Sequence, residues 1–485
     1  MGILVRCRNR PRTLAGNLGR RRRSLHPDRR VDTGRLRRPS RLIIFVQRLS
    51  PLHGKMGSPA PRPDRPALDE RCSRAERSLR PMIKHVEQLL KNEIGVSGFL
   101  DWLARQFPLI DELEDTPQDP EWHGEGNVRI HTEVVLTELL KDLPNHADLS
   151  TDHIHALIIG AALHDIGKTR VTREKELAGK VRIVSPRHAE TGRSYSALPL
   201  AGFEDVNDTV YEWALGIIGY HHHPRKLISA RISKGKFARI ARSIPLRLLE
   251  IFEYADIRGR ICSDPTEQLE TVDLFRLEAE SMGYWENDPY AGWLDRIENE
   301  FEITDPEESR YVFDAAKHLF ENGEIQTLEE AIGKTWDTRS SHGRLIILCG
   351  PSGSGKSTWI QNHDSDRVVS LDDLRIEISG RRDRQADNGK VAQLAKERLK
   401  EGLRAKETII YDATTLRTDG RSSLVSLAHQ YHSASEIVRF AVDPDELNRR
   451  NRSRQHQVPS KVLDRQLDRF QWPDLWEAQR VTTDR

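Results

Sequence analysis

Leu345-Ile-Ile-Leu-Cys349-Gly350-Pro-Ser-Gly-Ser-Gly355-Lys356-Ser357-Thr358 is the stretch from which the architecture can be read. A short apolar run leads into the pattern G-x-x-x-x-G-K-[ST], and a helical stretch follows. The motif therefore sits between a strand and a helix, the context that phosphate binding requires. Its glycines let backbone N–H groups turn inward around phosphates, and the next helix N-terminus adds donors and a favourable dipole. Gly350, Ser352, Gly353, Ser354, Gly355, Lys356, Ser357 and Thr358 are the expected nucleotide contacts. In this arrangement Lys356 bridges the β- and γ-phosphates of ATP or another NTP, and Ser357 holds Mg²⁺.

Toward the C-terminus, apolar runs recur at Val368 to Leu371, Thr408 to Tyr411 and Ile437 to Val442, with helical segments between them. Strands alternating with helices predict a parallel sheet covered on both faces, the α/β class. A phosphate loop does not specify the acceptor, so the strand ends decide the chemistry. Asp372 lies at the C-terminal end of the second expected strand, the edge where such sheets bind ligands. It is the expected general base for an attacking hydroxyl, with Arg375 contacting the acceptor or its phosphate. Its alternative role is to cap the following helix. Asp412, after the third strand, is expected to support Mg²⁺ or the acceptor. Asp443-Pro444-Asp445-Glu446 starts a helix. That helix carries Arg449, Arg450, Arg452 and Arg454, either as a lid that neutralises a transferring phosphoryl group or as a solvated face.

Toward the N-terminus, residues 336–342 read as a polar linker. Apolar residues then recur at helical spacing over 81–335, as in Val135, Leu136, Leu139, Leu140 and in Ile154, Leu157, Ile158, Ala161. An all-α domain is expected there, ahead of an α/β domain over 343–485. Candidate metal ligands stand at the ends of the expected helices: His131, His164-Asp165, His221-His222-His223 and Asp256, with His188 in a loop-like stretch. Such a mixed His/Asp set suits Mn, Co, Ni, Fe or Zn. Two bound ions clamp a phosphate and lower the pKa of a water. His153 and His155 fit no such series and are expected to be surface or satisfied core residues.

At 485 residues the chain is expected to hold two large domains and an appendage. With 37% hydrophobic and 31% charged residues, and no apolar run near the ~18–20 residues of a membrane span, it is expected to be soluble and cytoplasmic. Its four scattered cysteines indicate neither a disulfide framework nor a thiolate zinc site. The net charge of +2 conceals an asymmetry, because the first 55 residues hold 16 Lys and Arg against 2 Asp and Glu. The remainder is acidic, so nucleic-acid binding must come from local basic patches. Residues 1–80 are Arg- and Pro-rich and are expected to be disordered. They read as a mis-assigned start, with Met56 or Met82 the true beginning, as a basic nucleic-acid arm, or as a transit peptide.

The order of Gly350 to Thr358, Asp372 to Arg375, Asp412, and Arg450-Asn451-Arg452-Ser453-Arg454 before Val458-Pro459 resembles the phage-type P-loop polynucleotide kinases. That resemblance implies transfer of the γ-phosphate of an NTP to a 5′-hydroxyl of RNA or DNA. Asp372 would be the base, Arg375 would sit at the acceptor, and Arg450 and Arg454 would lie in the lid. The series from His131 to Asp256 resembles the HD superfamily of metal-dependent phosphohydrolases. It implies His131, His164, Asp165 and Asp256 at one metal, and His188 with His221 or His222 at a second. His221 is favoured because Tyr-His-x-x-Pro is the commoner arrangement. It also implies Lys168 at the scissile phosphate, with Arg258 and, as the weaker candidate, Arg260 as further phosphate ligands.

Together the halves resemble the bacterial HD-domain polynucleotide kinase family. The implied reactions are removal of a 2′,3′-cyclic phosphate or a terminal 2′- or 3′-phosphate, and 5′ phosphorylation, with sealing left to a separate polynucleotide ligase. The alternatives are an HD/kinase pair acting on a small phosphorylated metabolite or mononucleotide, and an NTP-switched regulatory protein. Because each half carries its own constellation, the halves are expected to be chemically independent and separable by a cut between Trp336 and Gly343.

Overall fold

The computed structural model describes residues 81–229, 233–381, 385–454 and 456–485. The expected arm over 1–80 lies outside the described residues. A helical region precedes a C-terminal parallel-sheet domain with a phosphate loop.

The helical region contains α1 (Val128–Asp142), α2 (Thr151–Leu163), α3 (His188–Leu200), α4 (Asp208–Tyr220) and α5 (Leu246–Arg258). Side-chain caps fix several starts. Asn127 accepts from Ile130 N at 3.0 Å, and Asn207 accepts from Val210 N at 2.9 Å. Ser150 and His153 form a reciprocal capping box on α2, which accounts for His153. His155 is satisfied by Glu87 at 2.9 Å.

One feature corrects the all-helical expectation. Strands β1 (Arg173–Leu177) and β2 (Lys180–Val184) form an antiparallel hairpin. Ala178 and Gly179 at its tip both have positive φ, 49° and 76°, as a two-residue type I′ turn requires. The Ala-Gly turn and mostly charged strands left little signal in the sequence.

In the C-terminal region β3 (Arg344–Cys349), β4 (Arg367–Ser370), β5 (Thr408–Asp412), β6 (Ala434–Phe440) and β7 (Arg480–Asp484) form one parallel sheet in the order β4-β5-β3-β6-β7. β3 is central, and Leu345 to Cys349 are buried, which suits a strand covered on both faces. Helices α6 (Lys356–Gln361), α7 (Leu371–Ser379), α8 (Asn388–Arg404), α9 (Thr418–Gln430), α10 (Pro444–Arg452) and α11 (Ser460–Arg469) complete this half. The cap of α7 is Ser370, whose side chain accepts from Asp373 N at 3.4 Å, so Asp372 is not used for capping. Asp443 caps α10 by accepting from Asp445 N and Glu446 N, ahead of Pro444.

The two regions share one continuous apolar core that includes Tyr211, Leu345, Phe470 and Trp472. Within residues 336–342, His342 stacks on Tyr311 with centroids 4.0 Å apart and Thr338 Oγ1 lies 3.1 Å from Tyr311 Oη, while Trp336, Asp337, Ser340 and Ser341 are exposed. The two regions are packed against each other through apolar side chains. No helix among the described residues is long and apolar enough to cross a membrane.

Candidate functional sites

The first site is a cleft of about 940 Å³ at the C-terminal edge of the sheet. The phosphate loop forms its floor. Asp372, Arg375, Asp412, Arg450 and Arg454 line it together with Ser352 to Thr358. Gly353 and Gly355 have φ of 91° and 105°, the left-handed turn that aims the loop's N–H groups inward. Lys356 Nζ donates to the carbonyls of Gly350 and Pro351 at 2.8 and 2.7 Å. Burial pulls its pKa down to about 8, against the upward pull of Asp412. Burial in turn raises Asp412 above the usual carboxylate range.

Asp372 pairs with Arg375, whose Nε reaches Asn388 Oδ1 at 3.3 Å. Of the four arginines on and after α10, Arg450 and Arg454 line this cleft, while Arg449 is turned to Glu446 and away from it. Asn451 fixes the turn beyond α10 through two bonds to Val458, at 2.7 and 2.9 Å. Gln466, which the sequence did not single out, accepts from Ser352 N at 2.8 Å inside the loop.

The second site lies where α1, α2, α3, α4 and α5 end or begin. His131, His164, Asp165, His221 and Asp256 are all at most 2% exposed, which is unusual for such polar groups unless they are paired or bind metal. His131 Nε2 lies 3.0 Å from Asp256 Oδ1 and 3.7 Å from Asp165 Oδ2. His188 Nε2 lies 3.2 Å from Asp165 Oδ1. Three imidazoles share one device: the Nδ1 atoms of His164, His188 and His221 lie 2.8, 2.8 and 3.0 Å from backbone carbonyls three residues earlier. Donation there leaves each Nε2 lone pair facing the interior.

His221 and His222 both approach His188, with Nε2–Nε2 distances of 3.3 and 3.1 Å. His221 is the deeper residue and has the carbonyl-anchored Nδ1, whereas His222 Nδ1 faces the Arg225 guanidinium at 3.2 Å. Burial and neighbouring imidazoles hold both rings well below the ordinary histidine range. Asp165 is also buried, yet the adjacent Lys168 ammonium keeps it well below the carboxylate range.

The residues fit a metal centre. His188, His221 and His222 can converge on one point, and so can His131, His164 and Asp256. His164 Nε2 lies 3.2 Å from Asp165 Oδ2 and His188 Nε2 3.2 Å from Asp165 Oδ1, but neither His164 Nε2 nor Asp165 Oδ1 is in hydrogen-bond geometry, and a coordinated cation would satisfy both buried atoms.

Gly167 holds the local geometry. A Cβ there would lie 2.1 Å from the His188 carbonyl, so only glycine lets the segment after Asp165 close on the start of α3. Lys168 Nζ bonds Asp165 Oδ2 at 2.6 Å and Gln118 Oε1 at 2.7 Å. A cleft of about 380 Å³ opens over the cluster, lined by Lys168, Arg225, Arg260, His188 and His222. Arg258 is not among them, because it lies over the Tyr254 ring and 3.5 Å from Asp142. That corrects its expected place beside a phosphate. Glu125, 2.9 Å from His131 Nδ1, and Arg225, paired to Glu253, carried no recognisable spacing in the sequence.

Residues 345–473 match the AAA domain family. The chain is 21% identical over 191 residues to "Putative bifunctional polynucleotide kinase/RNA ligase" of Autographa californica nuclear polyhedrosis virus, a match covering 36% of this chain. It spans about a quarter, 27%, of that viral protein. A chain of the Pnkp1/Rnl/Hen1 RNA repair complex is 20% identical, with a TM-score of 0.25, covering 27% of this chain and 44% of that one. The C-terminal half is thus a P-loop domain of the kinase-like type, similar to part of a protein named as a polynucleotide kinase/RNA ligase.

Proposed function

We propose that this chain heals broken nucleic-acid ends: its α/β half phosphorylates 5′-hydroxyls of RNA or DNA, and its helical half removes 2′,3′-cyclic or terminal 2′- or 3′-phosphates. The observation that carries the reading is the joint exposure of Lys356, Asp372, Arg375, Arg450 and Arg454 to one cleft, where phosphate-binding and proton-accepting groups can meet an NTP and a hydroxyl. Asp372 takes the proton of the attacking 5′-hydroxyl as its oxygen bonds the γ-phosphorus and the bond to the β-phosphate oxygen breaks. Arg375 orients the acceptor. Lys356, Arg450 and Arg454 meet the charge that spreads over the transferring group. Ser357 is placed to help hold Mg²⁺ with the nucleotide.

In the helical half His131, His164, Asp165, His188, His221 and Asp256 would hold divalent transition metal such as Mn, Co, Ni, Fe or Zn. Metal bound there supplies a water of lowered pKa and a clamp on the phosphate. Lys168 and Arg260, with Arg225, line the cleft through which the phosphate enters and neutralise its charge. The products, a 3′-hydroxyl and a 5′-phosphate, are what a separate polynucleotide ligase consumes.

The decisive test is an oligonucleotide with 5′-hydroxyl and 2′,3′-cyclic phosphate ends, incubated with the purified chain, an NTP and a panel of metals. Conversion of both ends is expected. Phosphorylation of mononucleotides alone would transfer the reading to a small-metabolite enzyme. Nucleotide binding without turnover at either end would transfer it to an NTP-switched regulator.

A further inference from the structure

We propose that Asp474, which belongs to the α/β half, is a positioning residue for the histidine cluster of the helical half. The proposal rests on reading that cluster as a metal site and concerns what sets the cluster's geometry.

Two of the helices that deliver histidines are tied by this one carboxylate. α3 begins at His188, and α4 ends at Tyr220, immediately before His221. Tyr220 Oη donates to Asp474 Oδ1 at 2.7 Å, and Arg193, five residues past His188 on α3, reaches the same oxygen at 2.6 Å. The Arg193 guanidinium lies over the Tyr220 ring, 4.8 Å from its centroid. It crosses α4 at Gly219, where a Cβ would lie 2.6 Å from Arg193 Cδ, so the absence of a side chain opens that route. The ends of α3 and α4 that set the 3.3 Å approach of His188 to His221 are therefore held through Arg193, Asp474 and Tyr220.

Asp474 is itself anchored in the α/β half. It forms a capping box with Glu477. Glu477 accepts two bonds, at 2.7 and 2.9 Å, from Arg421, a fully buried arginine that also donates to Thr415 O at 3.0 Å. Arg421 contacts Cys349 Sγ at 3.5 Å, directly before the phosphate loop. Burial opposes ionisation of Asp474, but the Arg193 charge prevails and holds its carboxyl below the usual range. Removing the carboxylate would leave Arg193 buried beside Tyr220 without its counter-charge and release both helix ends.

Outer-shell partners of metal-binding histidines typically change metal affinity by ~10–100-fold. Acting through one further residue, Asp474→Asn in the full chain should weaken Mn²⁺ binding about tenfold, at the lower end of that range. Mn²⁺ alone is the probe, titrated by calorimetry or followed as free Mn²⁺ by paramagnetic resonance, and affinity for ATP with Mg²⁺ should not change. Glu212→Gln is the control, because Glu212 is on the same helix and pairs with Arg439 across the same boundary, away from the histidines. It should leave Mn²⁺ affinity unchanged. Tyr220→Phe, which loses only the donated bond, should give a smaller shift in the same direction, and it decides the matter if Asp474→Asn does not fold. Wild-type Mn²⁺ affinity in these variants, or an equal loss in Glu212→Gln, would reduce Asp474 to an interface contact and overturn the proposal. A wild-type chain that binds no more Mn²⁺ than His164→Ala would overturn the metal reading itself, and this proposal with it.

Discussion

Arg439 of β6 and Glu212 of α4 meet at 2.6 Å across the boundary between the two halves, with the Arg439 guanidinium 4.6 Å from the centroid of Trp472. Trp472 is 3% exposed and packs edge-on against Tyr211. Trp472→Ala should therefore cost roughly 3–5 kcal/mol, the usual range for losing a buried aromatic, and unfold both halves together. Denaturant unfolding followed by separate probes in each half is the check, and two separated transitions in the wild-type chain would contradict it.

The same boundary changes what a cut between Trp336 and Gly343 should do. A clean break there would expose Phe470, Trp472 and Tyr211, so the fragments should remain associated or aggregate rather than separate as two soluble enzymes. Size-exclusion chromatography of the nicked chain reads the outcome directly.

Lys356 carries the clearest pH signature. Its folded pKa is depressed to about 8 from 10.5, so between those values the unfolded chain binds the extra proton and stability rises with pH. Below about 8 the enclosed ammonium costs its full amount, and Lys356→Met should stabilise the ligand-free fold by about 1–3 kcal/mol at pH 7 while abolishing kinase activity. An NTP favours the charged form, so binding near pH 9 should take up a proton. Calorimetry in buffers of different ionisation enthalpy measures that uptake.

Asp372 and Arg454 should differ in kinetic signature. Asp372→Asn should lower kcat by roughly 10²–10⁴-fold, the usual contribution of a positioned base. Near-normal turnover at saturating acceptor would remove that assignment. Arg454→Ala should reduce kcat more than it raises KM for nucleotide, because a group that meets the transition state adds little to ground-state binding.

His164→Ala should abolish phosphoesterase activity and Mn²⁺ binding while 5′ phosphorylation persists, because its Nε2 faces the cluster and not the P-loop cleft. After chelation, Mg²⁺ alone should restore the kinase more readily than the proposed phosphoesterase, because imidazole ligands favour transition metals. Loss of the kinase in folded His164→Ala would point to one composite site.

The P-loop was legible because its chemistry is local: glycines at fixed offsets turn one stretch of backbone into a phosphate cradle. The histidine series was legible only as an ordered set of residue types, and His221 and His222 both converge on His188. Of the two arginines, Arg260 is the weaker phosphate ligand by sequence, yet Arg258 is turned to Asp142 and Arg260 lies in the cleft. Asp372 was ambiguous until Ser370 was seen to take the capping role.

By itself the sequence determined a helical region followed by a P-loop α/β domain, because periodicity and turn chemistry act over a few residues. It also determined which residue types are available for chemistry. Only tertiary structure decided which of their atoms meet. His131 and Asp256 are 125 residues apart, and Tyr220 and Asp474 are 254 apart. Contacts at such separations depend on how helices and sheet pack into a common core, and no local pattern encodes that packing.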